Sequence, residues 1–67
     1  MSWQTPKVGD IWRYCDYSEK DPVEGYFLIG ALIDNDRLAD LIPLSKLGWR
    51  VVPLEYLQRS SCWGFMA

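Results

Sequence analysis

Short apolar runs alternate along the chain with polar, turn-forming clusters, and no run keeps the 3.6-residue period of a long helix. Ile11-Trp12-Arg13-Tyr14-Cys15-Asp16-Tyr17 is rich in aromatic and β-branched residues, which fit a pleated strand. Val8-Gly9-Asp10 reads as the turn leading into it, and residues 1–7, with Pro6 blocking regular pairing, read as a flexible N-terminal arm. Ser18 to Gly25 collects polar residues, Pro22 and Gly25, which is loop chemistry. Tyr26 to Ile33 predicts a second strand, apolar enough to be central and covered on both sides. Asp34-Asn35-Asp36 predicts a hairpin tip, because Asn and Asp tolerate left-handed backbone. Arg37 to Ile42 returns as a strand, although Leu38, Leu41 and Ile42 are equally spaced for one helical turn; Pro43 ends either element. Trp49 to Val52 is a short strand closed by Pro53. Pro53 to Leu57 is one helical turn, with Pro at a first helical position that its fixed φ suits. Ser61 to Met66 is a last short strand carrying Trp63 and Phe65.

Four or five short strands with turn signals between them predict a mainly β fold, a small antiparallel barrel or sandwich whose closure removes exposed sheet edges. Its core is expected to include Trp12, Leu28 and Val51. Alternation puts Trp12 and Tyr14 on one face of the first strand and Ile11, Arg13, Cys15 and Tyr17 on the other. Both faces cannot be the core of one sheet layer, so some aromatic surface is expected to be exposed.

The stretch Gly48-Trp49-Arg50-Val51-Val52-Pro53-Leu54-Glu55-Tyr56-Leu57 resembles the end of a Src-homology-three domain. In that family a strand runs into Pro, a short helical turn follows, and a Tyr on the turn faces the ligand groove. Tyr14-Cys15-Asp16-Tyr17 and the acidic loop Ser18 to Glu24 look like its first strand and long acidic loop, and Val8-Gly9-Asp10-Ile11 looks like its Gly-Asp turn. The resemblance implies an SH3-like antiparallel barrel of four to five strands with a short helical turn, forming one domain over residues 8–67. Three features depart from the family. The Gly-Asp turn precedes the acidic loop, Arg50 follows Trp49 where a second Trp is usual, and Leu54-Glu55 stands where Ser-Asn precedes the Tyr.

The chain has 67 residues, 49% of them hydrophobic and 15% aromatic, enough for one folded domain. A domain of this size buries only about 60% of its unfolded surface. Its four Trp, four Tyr and two Phe are therefore the expected source of stability. So small a core has little room for a deep substrate pocket, which favours binding on the surface or in a shallow groove. Histidine is absent, which removes the usual general base and the commonest metal ligand. Cys15 and Cys62 are the two cysteines and show no C-x-x-C spacing, so neither a metal nor a cofactor is expected. The N-terminus has no apolar run, and the run Tyr26 to Ile33 is far too short for a membrane helix. These features place the chain in the cytoplasm with both thiols reduced; a Cys15–Cys62 bridge is the alternative.

The net charge of −2 is unevenly spread: residues 1–40 carry four basic and eight acidic groups, and 41–67 three basic and one acidic. A pI near 4.8 argues against non-specific affinity for nucleic acid, whose phosphates call for a basic stripe. The leading expectation is a non-enzymatic protein-binding module, a stand-alone adaptor or inhibitor of a larger protein with a basic or proline-rich surface. Small inhibitors from viruses or mobile elements fit that profile. Tyr17, Glu19, Asp21, Glu24, Trp49 and Tyr56 are the candidate contact residues: carboxylates steer a basic partner, and aromatic rings supply the area that resists dissociation. The bland alternative is a solvated loop and buried rings. Trp63, Phe65 and Met66 could instead form a contact for a second copy. A second function class is a nucleic-acid-binding barrel that stacks bases on aromatic rings and holds phosphates with Arg13, Arg37, Lys46, Arg50 and Arg59.

Overall fold

In the computed structural model, residues 5–18 and 20–67 are described. The chain forms β1 (Ile11–Asp16), β2 (Val23–Ile33), β3 (Leu38–Pro43), β4 (Val51–Pro53), α1 (Leu54–Arg59) and β5 (Trp63–Phe65). The strands make one antiparallel sheet in the order β4-β3-β2-β1-β5, curled into a half-barrel. The fold is mainly β, with one short helix.

The β2–β3 hairpin turns through Asp34, Asn35 and Asp36, with φ of 53°, 56° and 62°. Left-handed backbone costs most residues roughly 1–2 kcal/mol each, and Asp and Asn are the ones that visit it. Arg37 N–H closes the turn onto Ile33 O and Asp34 O. Leu38 to Ile42 is strand rather than helical turn, because β3 finds ladder partners on both sides, β2 and β4. A central strand satisfies its backbone groups in full, which one isolated helical turn cannot do.

Three expectations need correction. β2 begins before the expected loop ends: Val23, Glu24 and Gly25 pair with Asp16, Cys15 and Tyr14. Gly25 is buried there, and a Cβ at that position would lie 2.7 Å from Leu47 Cδ1. The glycine serves close approach, not a turn. Second, β2 is covered on one face only. Phe27 and Ile29 are buried, Leu28 is half-buried between them, and Val51 is 49% exposed while Val52 is buried. Leu28 and Val51 thus belong to the outer face, because a period of two makes neighbours diverge. Third, Pro53 is the residue before the helix, with φ −60° and ψ 137°, and Trp49 and Arg50 precede β4.

Trp12, Phe27, Ile29, Ala39, Leu41, Val52, Leu57 and Trp63 form the core. It lies on the inner face, closed by Leu57 and Leu54 of α1 and by Leu47 from the β3–β4 connection. Within the expected arm, Pro6 is fully buried, and Lys7 and Asp10 exchange hydrogen bonds of 2.9 and 3.0 Å.

Candidate functional site

Strand alternation divides the candidate residues before any contact is considered. Arg13 and Cys15 of β1 lie opposite Tyr26 and Glu24 of β2 on the outer face. Arg13 Nη2 reaches Glu24 Oε2 at 3.3 Å and donates to Tyr17 Oη at 3.2 Å and to Cys15 Sγ at 3.6 Å. Tyr17 and Tyr26 donate their hydroxyls to the two oxygens of Glu24, at 3.4 and 3.3 Å. One carboxylate therefore gathers two phenols and a guanidinium. The hydrogen bond and the charge of Glu24 hold Arg13 above its ordinary pKa. Tyr17 is also raised, first by its hydrogen bond with Cys15 and then by partial loss of water.

The inner face presents a different chemistry. Trp49 meets Tyr14 edge-on at a centroid distance of 4.6 Å and lies parallel to Phe27 at 5.9 Å. Tyr14 and Phe27 also meet Trp63, at 5.2 and 5.5 Å. Trp49 remains 41% exposed, so three other rings hold in place a ring that still reaches solvent. Burial raises the pKa of Tyr14, helped by the Asp16 carboxylate, which accepts its hydroxyl. Asp16 itself is lowered, because it accepts the Ser18 hydroxyl at 2.7 Å and the Ser18 N–H at 2.9 Å.

The described candidate contact residues divide between different parts of the molecule. Tyr17 and Glu24 come together on the outer face. Asp21 is exposed in the intervening loop and joins no hydrogen bond of that cluster. Glu19 lies outside the described residues. Trp49 packs on the inner face, and Tyr56 is exposed on α1. Arg13, which the sequence offered only as a phosphate-holding group, and Tyr26, which it offered for no site, organise this cluster. The signal for Arg13 was present in the alternation that groups it with Cys15 and Tyr17; the signal for Tyr26 lay in a register that only pairing reveals.

Cys15 and Cys62 are free thiols, so the alternative bridge is not formed. The two cysteines are neighbours all the same: Cys15 N–H donates to Cys62 O at 2.8 Å. A cleft of about 390 Å³ opens between the hairpin tip and the start of α1, lined by Asp34, Arg37, Leu38, Pro53, Leu54 and Glu55. Among the described residues, no three His, Cys, Asp or Glu side chains are placed to hold a metal ion, and no helix is long and apolar enough to cross a membrane. The chain matches no family model, no curated protein and no solved structure.

Proposed function

We propose that the chain is a non-enzymatic protein-binding module that docks on a larger partner through the exposed aromatic surface centred on Trp49. The observation that carries this reading is Trp49 itself: an indole 41% exposed, yet fixed against Tyr14, Phe27 and Trp63. A ring already held in place loses little freedom on binding, and Trp and Tyr dominate interface hot spots. Tyr56 on α1 adds a second exposed ring. The run of β4 through Pro53 into a helical turn bearing Tyr56 supports the SH3-like reading. Asp21, exposed and outside the Arg13–Glu24 ion pair, steers a basic partner, a role that needs no contact with Trp49.

The nucleic-acid reading is weaker, because Arg13 is already engaged by Glu24. A gel shift at low salt separates the two: salt-sensitive binding of single-stranded nucleic acid would favour the second reading. The direct test is affinity capture from the native host, followed by kinetics on the purified partner. Trp49→Ala is expected to remain folded and to speed dissociation by about tenfold or more. Neutralising Asp21, which leaves the Arg13–Glu24 pair intact, is expected to slow association and flatten its salt dependence. If the partner dissociates from Trp49→Ala at the wild-type rate, the site lies elsewhere.

A further inference from the structure

The two edges of the sheet are not equally protected. β4 ends at Pro53, which has no N–H to offer, and runs directly into α1. β5 has no such block. Met66 N–H donates to Ile11 O at 2.9 Å and Cys15 N–H to Cys62 O at 2.8 Å, while Gly64 lies opposite Arg13. Cys62, Gly64 and Met66 therefore direct backbone groups toward β1. Alternation directs the carbonyl of Trp63, and both the N–H and the carbonyl of Phe65, away from β1. No described residue pairs with the Phe65 groups, and β5 is the last strand on its side. The edge is also sterically open: Gly64 is exposed, with nothing within 4 Å of where its Cβ would stand, and Phe65 is 41% exposed.

We infer that β5 is a dimerisation edge whose occupant is β5 of a second copy, running antiparallel about a two-fold axis at Gly64. The edge is complementary to itself. Its free donor, at residue 65, and its free acceptor, at residue 63, exchange places under the two-fold operation. Phe65 N–H of each copy then donates to the Trp63 carbonyl of the other. An isologous contact needs this self-matching, and a closed dimer satisfies both edges at once. Trp63 of one copy faces Phe65 of the other on the same side of the joined sheet, a cross-strand aromatic pair. At the axis glycine meets glycine, so no side chain holds the backbones apart. Arg13, opposite Gly64, is neutralised by Glu24, so no bare like charge opposes the approach. Three-residue edges bury less than the roughly 1,200–2,000 Å² of a standard interface, so the dimer is weak, forming between micromolar and millimolar protein.

Sedimentation equilibrium of the full chain over that concentration range tests the inference. The wild type and Phe65→Leu, which keeps the N–H, are expected to dimerise. Phe65→Pro removes the donor that points away from β1 as well as the ring that meets Trp12 at 5.7 Å. Phe65→Leu shares the loss of the ring but keeps the donor, so against that variant Phe65→Pro is expected to weaken dimerisation roughly tenfold or more. Trp49→Ala, which disturbs the proposed partner site, is expected to leave the dimer in place, so the two readings can fail separately. A wild type that stays monomeric to millimolar protein overturns the inference, as does a dimer indifferent to Phe65→Pro. Should Phe65→Pro fail to fold, amide exchange in the wild type decides: protection of the Phe65 N–H that grows with concentration supports the edge pairing. Exchange independent of concentration overturns it, as does full protection already present in the monomer.

Discussion

The two faces of the sheet are built from the same strands, residue by residue in alternation, yet they hold together by different forces. The inner face buries Trp12, Phe27, Ile29, Ala39, Leu41 and Val52 under α1 and the Leu47 loop. Its stability is desolvated area, which every member shares. The outer face carries Arg13, Glu24, Tyr26, Leu28, Ile42 and Val51, of which the last two are largely exposed. Among the described residues its contacts are hydrogen bonds and the Arg13–Glu24 ion pair, in water's reach, so each is worth little and is nearly independent of the rest. Adjacent residues can thus differ severalfold in what they contribute.

The sharpest way to break that comparison is a pair of neighbours. Phe27→Ala is expected to cost about 3–5 kcal/mol, enough to unfold much of a domain this small, whereas Leu28→Ala costs about 1–2 kcal/mol. Chemical denaturation of the two variants checks it; equal losses would mean that the outer face is covered after all. Next in size is the polar cluster. Arg13→Ala and Glu24→Gln are each expected to cost less than about 1 kcal/mol, and the double variant to lose little more than either alone, because both remove the same partly exposed pair. A double-mutant cycle in urea measures the coupling, and a value above about 2 kcal/mol would show the pair to be more shielded than its exposure implies.

The smallest expected effect concerns pH. Asp16 titrates below its ordinary value of 3.8, chiefly because Ser18 hydrogen-bonds its ionised form. A carboxylate with a depressed folded-state pKa stabilises the fold above its unfolded pKa, and that contribution is lost as pH falls through the folded one. The loss therefore sets in near 3.8 and runs toward lower pH. Comparison of melting temperatures across acid pH should show a slightly shallower decline in Asp16→Asn than in the wild type. A steeper decline in the variant would reverse the sign of the Ser18 interaction.

What the sequence alone determines here is local. Asp34-Asn35-Asp36 can adopt left-handed backbone, and that is a property of single residues, so the hairpin tip was readable. Pro53 marked the helix start to within one residue: expected at the first helical position, it stands just before it with an extended ψ of 137°. The β-rich character follows from composition and from the lack of helical period. Tertiary structure decided the rest, since the deciding partners are distant in the chain. Only the register of β2 against β1 and β3 tells that Phe27 and Ile29, not Leu28, face the core, because in a continuous apolar run alternation has no visible phase. Only the approach of Leu47 explains a buried glycine at position 25. The separation of Glu24 from Trp49 onto opposite faces, and an edge position for Phe65 whose backbone no described residue pairs, are likewise consequences of pairing. A hydrogen-bond ladder joins residues whose identities say nothing about one another, and that is why they could not be read along the chain.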